Sequence, residues 1–246
     1  MRPFAAQVGA ETYMTLRRGE TLLLTVGIPV VFLVFFSTVH VVPTGTTPAV
    51  TFFVPGILAL AVMSTAMVSL GIATGFERGY GVLKRLGTTP LGRPRLLGAK
   101  IATVVLVELV QAAVLVPVGF GLGWHPGGHA AAGAAAGQAV GVALLATVAF
   151  GGIGLLMAGS LRAEMNLASA NGLYLVLLLL GGMVVPLAKL PGAMADVAKA
   201  LPAAALAQGL HGALGGSTGV PVESWAVLGG WAVAALVAAA LTFRWE

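Results

Sequence analysis

Six apolar runs constrain this chain more than any other feature. They cover residues 21–42, 52–74, 101–123, 138–160, 167–187 and 225–243. A helix needs about 20 apolar residues to cross a hydrocarbon core, and each run meets that length. Of 246 residues, 58% are apolar and 9% are charged. Soluble domains carry about 25% charged residues, so this chain cannot cover a water-facing surface. The class is therefore an all-α polytopic membrane protein forming a single transmembrane domain. Lipid offers no partners to backbone groups, so the six spans are expected as helices. Gly151, Gly152 and Gly154 would let neighbouring helices approach closely. The first run is longer than the apolar core of a cleaved signal, usually about 7–15 residues, and is read as a span.

Orientation follows from Lys and Arg. With six spans, one side holds Arg2, Arg17, Arg18, Arg78, Lys84, Arg85, Arg93, Arg95, Lys100, Arg162 and Arg244. The other holds Lys189 and Lys199. This asymmetry places both termini and the loop at 75–100 in the cytoplasm, with the spans in the cytoplasmic (inner) membrane. Ahead of the first span, Phe4, Val8, Tyr13 and Leu16 suit a short helix lying on the cytoplasmic interface. On the outer side, residues 188–224 are long yet apolar. Pro191 and Pro202 flank a stretch of helical composition too short to span, and a helical hairpin re-entering the outer leaflet is expected.

Several chemistries lack their residues. The sequence has no G-x-x-x-x-G-K-[ST] phosphate loop, no H-E-x-x-H and no G-x-S-x-G, so no enzymatic site is expected. Without cysteine there is no disulfide framework or thiolate metal site. His125 and His129 lie in a Gly-rich loop where their spacing fixes no geometry. No metal site is expected there, and His40 and His211 fall near the same side. The net charge of +5 comes from basic residues bordering spans, with no interleaved aromatics, so nucleic acid is not an expected partner.

Buried polar groups are the remaining signal. Glu108 lies well inside the third span, with Gln111 one turn along. A charge at that depth costs about 2.5–3.5 kcal/mol on insertion scales, so it should face protein or water. Two readings are open: a group that meets substrate or protons on a translocation path, or a structural hydrogen bond between helices. Thr65 and Ser69 on the second span, and Asn171 and Tyr174 on the fifth, could line the same interior. Ser and Thr can equally bond their own helix backbone. Met63 and Met67 read as a packing stripe.

The segment "GFERGYGVLKRLGTTPLGRPRLLGAK", residues 75–100, gathers Glu77, Arg78, Lys84, Arg85, Arg93, Arg95 and Lys100 into one cytoplasmic loop. Anchoring against anionic lipid accounts for its sign. It leaves Val82, Leu83 and Leu86 unexplained. The loop resembles that of ABC type-2 exporter permeases, the membrane subunits that include drug and antibiotic efflux permeases. Glu77, Arg78, Gly81, Leu83, Lys84, Arg85 and Leu86 match, as do Thr89, Pro90, Leu91, Arg93, Leu97 and, one residue late, Lys100. Pro186, Leu190, Pro191, Leu201, Pro202 and Gly209 resemble the family's outer re-entrant region. Gly79 and Tyr80 stand where the family commonly has a second acidic–basic pair. Two glycines weaken a helix start by about 1 kcal/mol each, so the loop helix is expected to begin near Val82.

The resemblance implies that this loop forms a coupling helix docking in a groove of a separate ATPase subunit. Glu77, Arg78, Val82, Leu83, Lys84, Arg85 and Leu86 would be the contacts. ATP and Mg²⁺ would be held by an ABC ATPase dimer, with no cofactor in this chain. A second permease copy or a paralogue would complete the pore, and lipid would surround it. The cargo would be hydrophobic or amphipathic: a drug, an antibiotic or a lipid. The competing reading is an ion- or proton-coupled secondary transporter using Glu108.

Overall fold

The computed structural model describes residues 2–17, 19–39, 48–87, 93–126, 132–215 and 219–243. Arg18, His40, Thr89, Pro90, Leu91, His129 and Arg244 lie outside the described residues, as do the side chains of Arg2, Leu16 and Arg93. The architecture is helical. In chain order the helices are α1 (Arg2–Arg17), α2 (Gly19–Thr38), α3 (Ala49–Met63), α4 (Leu70–Gly79), α5 (Val82–Gly87) and α6 (Arg93–Gly121). They continue as α7 (Ala132–Ser160), α8 (Ala163–Leu180), α9 (Gly192–Lys199), α10 (Pro202–Leu214) and α11 (Val222–Thr242). A π turn, Ser64–Ser69, joins α3 to α4 without a break.

Five helices are long and apolar enough to cross a membrane: Ala49–Gly79, Arg95–Gly121, Gly133–Ser160, Ala163–Leu180 and Val222–Thr242. This makes the chain multi-pass. The described apolar part of the first predicted span, Leu23–Thr38, is a shorter helix. The fifth span ends earlier than expected, at Leu180 rather than 187. Gly182 sits at φ +72°, a left-handed conformation that closes the helix, and Gly181 packs against Ala203 where a larger residue would not fit.

The main core gathers Met63 and Met67, Phe150 of α7, Leu206 and Leu210 of α10, and Leu228 of α11. Both methionines are fully buried, as a packing stripe requires. α7 runs through the middle, against α4, α10 and α11. Its small residues make that possible. A Cβ on Gly154 would lie 2.7 Å from the Met67 carbonyl oxygen, and one on Gly152 would lie 2.8 Å from Ala235 Cβ. Gly151 has only ordinary contact room. A second core joins α2, α3 and α6 through Leu33, Phe53, Ile57 and Leu115.

In the segment at 188–224 the described residues form two short helices, α9 and α10. Pro191 and Pro202 each stand at a helix start, where a missing N–H costs nothing. α10, at 13 residues, is buried along most of its length between α3, α7 and α11. At about 1.5 Å per residue it is too short to span. His211 ties it to α3: Nε2 lies 3.1 Å from the Phe52 carbonyl oxygen and Nδ1 lies 2.6 Å from that of Ala207. α1 is an ordered helix lying along α6.

Candidate functional site: a charged corner and a central polar cluster

The loop helix starts where the glycines direct. α4 ends at Gly79, Tyr80 follows, and Gly81 takes φ +71°. That left-handed position is open to glycine at little cost and turns the chain sharply. α5 then begins at Val82. Its two faces differ. Leu83 is fully buried against Leu96, with Phe4, Leu86 and Phe243 around them. Tyr80, 76% exposed, points outward together with Val82. Lys84 and Arg85 are exposed.

Leu83 therefore faces its own chain, whereas the resemblance had it filling a partner's groove. The reason is packing: a six-residue helix has no core of its own, and one apolar side chain must fasten it to the bundle. Glu77 and Arg78 also turn inward. Lys100 Nζ lies 2.6 Å from Glu77 Oε2 and 3.1 Å from Glu11 Oε1, with the lysine side chain only 3% exposed. One buried cation thus joins α1, α4 and α6. The Arg78 guanidinium donates to the carbonyl oxygens of Gly159 and Leu161, at the end of α7. Helix C-termini carry unpaired carbonyls and partial negative charge, so a cation fits there. Asn166, fully buried at the start of α8, donates from Nδ2 to the Gly71 carbonyl oxygen at 2.7 Å. α4 is in this way fastened at its end to α1, α6 and α7 and at its start to α8.

Deeper in the bundle, Gln111 bridges three elements. Its Oε1 accepts from Thr65 Oγ1 at 3.2 Å, and its Nε2 donates to the Thr25 carbonyl oxygen at 3.0 Å. Glu108 Oε2 accepts from Thr147 Oγ1 of α7 at 2.6 Å. Glu108 Oε1 is buried and has no partner among the described residues. Beside these groups lies a cavity of about 570 Å³ between α3, α6, α7 and α10, lined by both Glu108 and Gln111.

The other polar residues picked out from the sequence do not join this cluster. Ser69 is exposed although Thr65 is buried. The π turn explains it: i→i+5 bonding widens the turn, so residues four apart no longer share a face. Asn171 is exposed on α8 and bonds the Leu167 carbonyl oxygen of its own helix at 2.8 Å. Tyr174 packs against the main core. His125 is exposed, its Nδ1 2.9 Å from the Gly123 carbonyl oxygen. Among the described residues no group of His, Asp and Glu could hold a metal.

Sequence reasoning missed Glu11, Thr147 and Asn166. Their partners lie 89, 39 and 95 residues away, beyond any motif. One signal was available. Glu11, Glu77 and Lys100 are each a charge set among apolar residues near the same predicted membrane face. Charges in that setting seek one another.

A search of curated proteins returns no match. The family model described as "ABC-2 type transporter" matches residues 6–214, a stretch that takes in the charged corner, the Glu108 cluster and α10. The chain belongs to the ABC-2 type transporter family.

Proposed function

We propose that this chain is the permease subunit of an ATP-driven exporter, with α5 as the element that receives motion from a separate ATPase. Permeases of this family normally work with an ABC ATPase partner. The observation that carries the proposal is the two-sided build of α5. Leu83 fastens it to the bundle, while Tyr80, Val82, Lys84 and Arg85 stand outward. Because α4 is tied to α1, α6, α7 and α8, a push on α5 reaches several helices at once. ATP and Mg²⁺ belong to the ATPase dimer in this reading.

The remaining layout follows from the same proposal. Leu23–Thr38 with the residues just before it forms the sixth span, α9 and α10 sit in the outer leaflet, and both termini are cytoplasmic. A second copy or a paralogue completes the pore. α8 supports this, because Leu175, Val176 and Leu179 are exposed along one of the least buried candidate spans. The apolar spans favour a hydrophobic or amphipathic cargo such as a drug, an antibiotic or a lipid. A gradient-driven carrier working through Glu108 would need a polar route. The cavity beside Glu108 is instead lined by apolar side chains, apart from Gln111 and Trp124.

The test is reconstitution of the permease with its co-purifying ATPase in vesicles. Outward movement of an amphipathic cargo should require ATP and should persist when ion gradients are collapsed. Transport that runs on a gradient without ATP, and stops in Glu108→Gln, would reverse the proposal.

A further inference from the structure

The cavity between α6 and α7 has a chemistry of its own. Its floor is buried: Ala61 and Val62 on the α3 side, Gln111, and Leu210 of α10. Its rim is exposed: Leu109 and Phe120 on α6, Val140 and Leu144 on α7. Both rim helices are candidate spans, so the opening faces hydrocarbon rather than water. The α6 residues that line it run from Val105 to Phe120 on one side of the helix. That is a slot about 22 Å long at 1.5 Å per residue. A volume of about 570 Å³ falls within the ordinary range for small-molecule sites.

Two residues that line the slot each carry a buried polar atom without a partner among the described residues, Glu108 Oε1 and Trp124 Nε1. Thr147 Oγ1 lies 2.6 Å from Glu108 Oε2 and 2.8 Å from the Ala143 carbonyl oxygen. A hydroxyl has one proton, so it serves these two acceptors only by sharing it. Glu108 Oε1 has no donor at all among the described residues. A buried acceptor without a donor is costly, and a carboxylate more so. No basic side chain and no second carboxylate lines the slot, which disfavours an anionic headgroup and a metal ion. A neutral acyl chain would fill the volume and leave the carboxylate unanswered.

We propose that this slot binds one cationic amphiphile, a long apolar body carrying a protonated amine, which enters from the bilayer and pairs its amine with the Glu108 carboxylate. The site is complete within one chain. It does not rest on the coupling proposal, and its assay contains no ATPase.

Trp124 provides the readout. It lines the slot and folds back on α6, with Cε3 3.4 Å from where a Gly119 Cβ would stand. Glu108 and Gly119 are about 16 Å apart along the helix, a gap that a dodecyl chain bridges. The experiment uses the full chain in phosphatidylcholine nanodiscs, with Trp225, Trp231 and Trp245 changed to Phe. The probes are a bromine-tipped dodecylamine and the matching bromine-tipped dodecanol, since bromine quenches indole on contact. The amine should quench Trp124 saturably and bind more tightly than the alcohol. Glu108→Gln should weaken the amine about tenfold or more and leave the alcohol unchanged, which also shows that the variant is folded. Ala139→Leu, which narrows the slot, should remove quenching by both probes. Equal binding of amine and alcohol, unaffected by Glu108→Gln, would overturn the role of the carboxylate. Absence of saturable quenching from folded protein would mean the slot is closed or covered by a second copy, and would overturn the site.

Discussion

The charged corner at the end of α4 and the cluster around Glu108 use polar groups in opposite ways. At the corner, Lys100 lies between Glu11 and Glu77, and Arg78 answers the last carbonyls of α7. Each charge meets a partner inside the same chain. Around Glu108, one threonine proton faces two acceptors and a carboxylate oxygen is left over. The first arrangement holds helices together. The second leaves a buried acceptor unanswered among the described residues, the demand that the proposed amine would meet. Charge buried in a membrane protein is therefore informative according to whether its partners are present.

The largest effect that separates the two regions is expected at Lys100. Lys100→Met removes the buried ammonium that the half-buried carboxylates of Glu11 and Glu77 share. Breaking a fully buried ion pair on one side costs about 3–5 kcal/mol, and these carboxylates keep part of their hydration, so a loss of about 2–3 kcal/mol is expected. A large fall in the unfolding midpoint of the purified protein should follow, and adding Glu11→Gln with Glu77→Gln should restore most of it. An unchanged midpoint in the single variant would show that the corner does not hold α1, α4 and α6 together.

Gln111 comes next, because it bridges α2, the π turn and α6 with neutral hydrogen bonds only. Gln111→Leu should cost about 1–2 kcal/mol, the scale of hydrogen bonds between membrane helices. Thermal unfolding in detergent would register it. Asn171→Ala and Ser69→Ala should have the smallest effect, within about 0.5 kcal/mol, since both residues are exposed and Asn171 bonds only its own helix. A larger loss at Asn171, appearing only in the assembled transporter, would place that residue at a contact with a second copy.

The sequence carried the helices well and their partners poorly. Hydropathy located the long apolar helices, because the length needed to cross hydrocarbon is a property of contiguous residues. The start of α5 at Val82 was legible because glycine penalties act locally. The end of α8 was missed, although Gly181 and Gly182 stand in plain view, because the apolar run continues past them. The inward turn of Glu77 and Arg78 could not be read from the loop. Their partners, Lys100 and the end of α7, are brought there by packing. Ser69 was misplaced for a different reason. No residue type announces a π turn, so spacing that is sound on an α-helix failed there.

The central claim is that α5 has an inner face that fastens it and an outer face that docks. The most direct measurement compares Leu83→Asp with Val82→Asp, reading both the unfolding midpoint of the permease and ATP-driven transport with its ATPase. Leu83→Asp places a charge in a buried apolar contact and should lower both. Val82→Asp should leave the midpoint unchanged and abolish transport. Transport at wild-type level in Val82→Asp, in a complex that still assembles, would contradict the account.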